Sequence, residues 1–183
     1  MEYSFHFYNG MSETGILTAI NCMAQNFKSA PVVLCIGSDL AIGDSLGPIV
    51  GTMLKRKGYQ GTIYGTLKNP VTAKEVKYIN NFLERTHPNA PVIAVDAAVG
   101  DDRDVGLIKV SDAPLKPGSG ARKKLGKVGD ISILGIVASR TAFSYSVLNL
   151  TRLNMVYGMA EDISDAILSF SLKEFCWNRR RNA

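Results

Sequence analysis

Histidine, cysteine and tryptophan are scarce in these 183 residues: two, three and one respectively. The two histidines, His6 and His87, stand outside every acid-bearing block described below. No Ser/His/Asp or Cys/His catalytic set is therefore legible, since each needs an imidazole near its nucleophile. Cys22, Cys35 and Cys176 form no CxxC and are odd in number. That excludes a disulfide framework and fits a reduced, cytoplasmic setting. No apolar run is long enough to span a bilayer. Met1-Glu2-Tyr3-Ser4 lacks the basic start and apolar stretch of a signal peptide. Internal repeats and low-complexity segments are absent as well.

The charge is mildly basic, with a formal net of +5. Its local clusters are Arg122-Lys123-Lys124 with Lys127, and Arg179-Arg180-Arg181. Neither comes with a recognition-helix or aromatic-platform signature, so they read as solvated surface, with no nucleic-acid or membrane partner expected. With 46% hydrophobic residues, the length suits one globular domain over 1–183 with a proper core.

The chain is organised around residues 31–51, PVVLCIGSDLAIGDSLGPIVG. The apolar run Val32 to Ile36, between Pro31 and Gly37, predicts a buried strand. A glycine-punctuated loop runs from Gly37 to Gly43, and a helix is expected from about Asp44, with Pro48 in its first turn. Such a unit forms a crevice at the carboxyl end of a parallel sheet. Phosphate binding is argued against by the residues. A P-loop needs a lysine after the last glycine, but Gly43 is followed by Asp44, and Gly37 and Gly43 are too far apart for GxGxxG. The loop presents an acid where an anion would sit, and the helix dipole favours its ionised form. The competing reading makes Asp44 a simple N-cap.

Around this unit, Tyr3, Phe5 and Phe7 alternate like a short edge strand, and Thr14 to Phe27 has helical spacing. Helix is expected over Ser45 to Arg56, strand over Gly61 to Leu67, and helix over Ala73 to Glu84 behind a Thr72/Glu75 capping box. Pro91 to Val95 predicts a third buried strand ending on Asp96, which places that acid on the ligand side of the sheet. Asp101, Asp102 and Asp104 follow without the spacing of a calcium loop. Val105 to Val110 and Asp130 to Ala138 read as strands. Gly118-Ser119-Gly120, between them, suits a backbone nest for an oxyanion or carboxylate. A long helix is expected from Thr141 to Phe170, broken near Gly158. The alternation predicts an α/β fold, a three-layer α/β/α sandwich on a mostly parallel sheet.

Several blocks, in order, carry a resemblance: Cys35-Ile36-Gly37-Ser38-Asp39 through Gly43-Asp44-Ser45-Leu46-Gly47-Pro48, Val95-Asp96-Ala97, Lys116-Pro117-Gly118-Ser119-Gly120 and Thr151-Arg152-Leu153-Asn154. Together they resemble YyaC-type sporulation proteins over roughly residues 30–171, leaving residues 1–29 as an extension outside the resemblance. More distantly they resemble the germination protease that degrades small acid-soluble spore proteins, whose two essential aspartates fall on Asp44 and Asp96. Hydrogenase maturation endopeptidases share the fold and place acidic nickel-sensing residues at similar positions, but no histidine follows His87 here to complete such a site. The resemblance implies a phosphorylase/hydrolase-like fold and peptidase ancestry. It also implies a cytoplasmic location in forespore or mother cell, and a protein or peptide partner, small acid-soluble spore proteins among them.

Residues and resemblance meet at Asp44 and Asp96. Two close carboxylates share a proton, so one can act as general base on water and the other as general acid. The helix N-terminus assigns Asp44 as base and Asp96 as acid. Gly43, Ser45, Gly118, Ser119 and Gly120 are the expected substrate-binding positions. No cofactor is expected. Two alternatives stand: a binding or regulatory sporulation protein on the same fold, or a divalent-metal site on Asp39, Asp44 and Asp96. Self-association into a homo-oligomer is left open.

Overall fold

A computed structural model describes residues 1–72, 74–117, 127–140, 148 and 150–181, without the side chains of Lys77 and residues 173–181. The strands are β1 (Glu2–His6), β2 (Val32–Cys35), β3 (Ile63–Tyr64), β4 (Val92–Gly100), β5 (Leu107–Ser111) and β6 (Ile131–Ser139). The helices are α1 (Ser12–Met23), α2 (Leu46–Arg56), α3 (Val76–Thr86) and α4 (Leu153–Arg181), with short 3-10 turns at Gly43–Ser45 and Asp102–Asp104.

The strands form one sheet in the order β1-β5-β6-β4-β2-β3. β3, β2, β4 and β6 run parallel, and β5 and β1 add an antiparallel edge. The four residues of β2 are all buried, as a strand covered on both faces requires. Alternation along the strands sends Val33, Cys35, Ile93, Val95, Ile131 and Ile133 to one face, where they meet α1, α2 and α4 through Ile20, Leu54, Ile163 and Phe170. It sends Val32, Leu34, Ile36 and Ala94 to the other face, where α3 delivers Val76 and Leu83, and Leu115 and Val128 complete the cover. The result is the expected three-layer α/β/α arrangement, with one face much more thickly covered than the other.

Several boundaries differ from the sequence reading. β3 is two residues long, because Gly65 turns the chain at a positive φ of 88° directly after Tyr64. α4 runs unbroken through Gly158. A Cβ there would stand 3.3 Å from Phe7 Cδ2, so this glycine makes room for the aromatic side chain without ending the helix. α4 starts at Leu153, and residues 141–147 and 149 of the expected helix lie outside the described residues. Thr72 and Glu75 do make their mutual bond, with the Thr72 N–H donating to Glu75 Oε2 at 2.9 Å, although regular helix begins only at Val76. β4 continues past Asp96 to Gly100 beside β6, through a bulge at Ala98/Val99, so Asp96 lies inside a strand instead of ending one.

Candidate active site

β2 leads through α2 to β3 on one side, and β4 lies on its other side. The crevice between β2 and β4 is the point where the strand order reverses, the usual ligand position in such sheets. The loop leaving β2 is held by backbone. Gly37 adopts φ 141°, and a Cβ there would run into the Asp44 carbonyl oxygen. The Gly37 N–H donates to the Val71 carbonyl at 2.9 Å, and the Ser38 N–H donates to the Asp44 carbonyl at 3.0 Å. At the loop's far end a Cβ on Gly43 would stand 2.8 Å from Leu148 Cδ2 and 2.9 Å from Thr151 Oγ1. One turn on, Gly47 lies against the Ile36 backbone, and Gly51 against the Gly65 carbonyl. Glycine at these spacings lets the start of α2 settle onto β2, carrying Asp44 to the edge of the sheet.

Asp96 arrives from the neighbouring strand. Cys35, the last residue of β2, pairs with Val95, so Asp96 is the first β4 residue beyond the end of β2. It is 7% exposed, and its Oδ1 accepts the Ala97 N–H at 2.8 Å. Burial, reinforced by the charge of Asp44, pushes its carboxyl well above the ordinary carboxylate range, against the pull of the Ala97 N–H. Asp44 is half-buried. Burial raises its carboxyl too, and the Ser38 N–H opposes the rise. The N-cap reading of Asp44 fails, since it lies in the 3-10 turn and Ser45 holds the N-cap position with no side-chain cap bond. Burial thus lifts both carboxyls above the ordinary carboxylate range. The two carboxyls are nonetheless unequal, since Asp96 is the more deeply buried and ionises in the presence of a charged Asp44.

The other expected positions divide. Ser45 is buried, and its hydroxyl donates to the Ile42 carbonyl at 2.6 Å, a bond within the loop. Gly43 is buried against Leu148 and Thr151, a packing position. Gly118, Ser119 and Gly120 lie outside the described residues. Asp39 is exposed, and among the described residues no three His, Cys, Asp or Glu side chains come together to hold a metal. The set Asp39, Asp44 and Asp96 is therefore not a three-ligand site. His87 is engaged elsewhere, its Nε2 at 3.0 Å from the Tyr64 hydroxyl. Sequence reasoning missed Ser38, Val71 and Leu148 as the residues that fix the Asp44 loop. The signal for Ser38 was its place after a glycine that had to turn, whereas Val71 and Leu148 act through tertiary contact and leave no local mark.

Fold and site define a class: a three-layer α/β protein with an unequal pair of acids at the carboxyl edge of its parallel strands. Within that class, the chain belongs to the family described as "Protein of unknown function (DUF1256)", which matches residues 5–166. It is 45% identical over 137 residues to "Uncharacterized protein YyaC" of Bacillus subtilis (strain 168), covering 74% of this chain and 67% of that one. Among solved structures it is similar to a NiFe hydrogenase maturation protease HycI from Thermococcus kodakarensis KOD1, with a TM-score of 0.37 and 16% identity over 76% of this chain and 94% of that chain. The family match begins well before residue 30, where the motif blocks start. β1 and α1 supply the sheet's edge and part of its thicker cover, so residues 5–29 belong to the family fold. Among the described residues no helix is long and apolar enough to cross a membrane.

Proposed function

We propose that this protein is a peptidase of sporulating cells, working inside forespore or mother cell on protein substrates, small acid-soluble spore proteins among them. Asp44 is the general base and Asp96 the general acid. The observation that carries this reading is the unequal pair: a half-buried Asp44 whose charge acts on a deeply buried Asp96 across the crevice. Two carboxyls so placed hold one proton between them at moderate pH, as acid–base hydrolysis of an amide requires.

In this mechanism the Asp44 carboxylate takes a proton from water as the water oxygen bonds to the scissile carbonyl carbon. Asp96 Oδ1 is held by the Ala97 N–H, which leaves Oδ2 to carry the acid proton and give it to the carbonyl oxygen. As the tetrahedral species collapses, Asp44 returns its proton to the leaving nitrogen and the C–N bond breaks. Asp96 then recovers its own proton from the hydroxyl that becomes the product carbonyl. Both acids end as they began.

The test is proteolysis of small acid-soluble spore proteins by wild type and by Asp44→Asn and Asp96→Asn, from acid to neutral pH, with and without chelator. Cleavage that persists with chelator and disappears in both variants is expected. No cleavage by the folded wild type, or cleavage that survives in both variants, overturns the reading; the first result assigns the crevice to binding.

A further inference from the structure

Among the described residues, the exposed leucine and isoleucine side chains are Leu40, Ile42, Leu67, Leu150, Leu153 and Leu172. Four of these stand on two short segments that meet at Gly43. Leu40, 91% exposed, and Ile42 belong to the loop that presents Asp44. Leu150, 82% exposed, and Leu153 belong to the chain entering α4. Leu148 and Thr151 of that second segment close on Gly43, the residue directly before Asp44. The two segments therefore lie against each other at the mouth of the crevice. A single exposed leucine needs no explanation, whereas four gathered beside a candidate site mark an interaction surface.

The loop holds its two side chains out by its own hydrogen bonds. The Leu40 N–H donates to Ser38 Oγ at 3.2 Å. The Asp44 N–H donates to the Ala41 carbonyl at 3.0 Å. The Ile42 carbonyl accepts the Ser45 N–H at 3.2 Å and the Ser45 hydroxyl at 2.6 Å. The turn that fixes Asp44 thus fixes Leu40 and Ile42 with it. Apart from Asp44, the two segments carry one acid, Asp39, and one base, Arg152, both exposed. Charge here favours neither sign of partner, and aliphatic contact is the recognition that remains.

We propose that Leu40, Ile42, Leu150 and Leu153 form a subsite that seats a large apolar side chain of the substrate beside the scissile amide. Such side chains are mostly buried in folded proteins, so the subsite selects unfolded segments bearing leucine or phenylalanine. The proposal rests on the peptidase reading, because Asp44 and the subsite share one loop. That reading also decides between a substrate and a second copy. A second copy over these leucines would close the crevice above the acids, whereas a substrate segment has to enter there.

The probes are two short fluorescein-labelled peptides of glycine and serine, one with a central Leu-Phe pair and one with Ala-Ala. Fluorescence anisotropy follows their binding to wild type and to Asp96→Asn. Saturable binding of the Leu-Phe peptide alone is expected. It weakens roughly tenfold in Leu40→Ser/Ile42→Ser, a variant whose thermal melt matches wild type, and returns in Leu40→Met/Ile42→Met. It is unchanged in Leu172→Ser, which alters an exposed leucine roughly 28 Å along α4 from Leu153. Equal binding of the two peptides, or binding indifferent to Leu40 and Ile42, overturns the proposal. So does a concentration-dependent dimer that Leu40→Ser/Ile42→Ser abolishes, because the patch would then be a self-interface. Small acid-soluble spore proteins left whole by a wild type that binds the peptide would overturn the peptidase reading and leave the subsite standing. Their cleavage at an unchanged rate by Leu40→Ser/Ile42→Ser would overturn the subsite and leave the peptidase reading standing.

Discussion

The charge on Asp44 drives the Asp96 carboxyl further up the pH scale than burial alone does. An acid in that position is a cost to the fold once it ionises. Asp96→Asn keeps the shape and removes the charge, so at neutral pH this variant is expected to be more stable than wild type. For a chain of this size, each kcal/mol gained raises Tm by roughly 2–4 °C. Thermal melts at neutral pH check it. A variant that is less stable at neutral pH would mean that the Asp96 charge has a native partner.

The pH dependence of stability follows from the same shifts. The native state holds Asp44 and Asp96 protonated at pH values where the unfolded chain has released both protons. Their stabilising contribution is complete below the ordinary carboxylate value and is lost as pH rises through the raised native values. Asp104 acts in the opposite sense, since its bond to Lys109 lowers its carboxyl, but this pair is only partly buried and weighs little. Denaturant unfolding followed from acid to neutral pH should show stability falling across that window in wild type and a flatter profile in Asp96→Asn. Identical slopes in the two proteins would sink the assignment.

Activity, on the proposed mechanism, needs Asp44 ionised and Asp96 protonated. The kcat/KM profile is therefore expected to be bell-shaped, with Asp44 setting the acid limb and Asp96 the alkaline limb. A rate that climbs steadily through neutral pH would contradict these roles.

How far the sequence revealed this arrangement depended on whether a feature was local. The apolar run Val32 to Ile36, the glycines at positions 37 and 43, and the Thr72/Glu75 box each act within a few residues, and each was legible. Asp96 was legible as an acid after a buried run, but not as a residue inside a longer strand, because β4 is extended by its ladder with β6. The upward shift of Asp44 was not legible. The dipole argument is local, whereas desolvation depends on how closely α2 approaches β2, which only packing determines. Gly158 misled for a related reason: it read as a helix break, and its purpose is the approach of Phe7 from residues distant in sequence.

Close approach of α2 to β2 gives a direct test of what positions Asp44. A Cβ on Gly47 would press on the Ile36 backbone, which cannot give way as a flexible side chain can. Gly47→Ala gains the helix propensity of alanine, about 1 kcal/mol, and loses more to overpacking, typically 1–3 kcal/mol. Net destabilisation is expected, together with a loss of any activity that depends on Asp44. Gly58→Ala has no neighbouring atom within 4 Å but a positive φ of 81°. Far from the acids, it should cost stability alone. Equal effects of the two substitutions on activity per folded molecule would show that α2 does not position the acid.

The link between the first and last helices makes a separate prediction, independent of the crevice. Ser12 is 2% exposed, and its hydroxyl donates to the Asp162 carboxylate, tying α1 to α4. Burial raises the Asp162 carboxyl, and the Ser12 hydroxyl holds that rise in check. Ser12→Ala removes the donor and leaves a part-buried carboxylate less satisfied, at an expected cost of about 1–3 kcal/mol. The hydroxyl favours the ionised acid, so the loss should be largest at neutral pH and shrink as acid protonates Asp162 in both proteins. Asp162→Asn should lose less than Ser12→Ala at neutral pH, because it discards the desolvated charge along with the bond. Thermal melts of the three proteins at acid and neutral pH decide it: a Ser12→Ala penalty that is the same at both would mean that the serine matters for packing and not for the charge it holds.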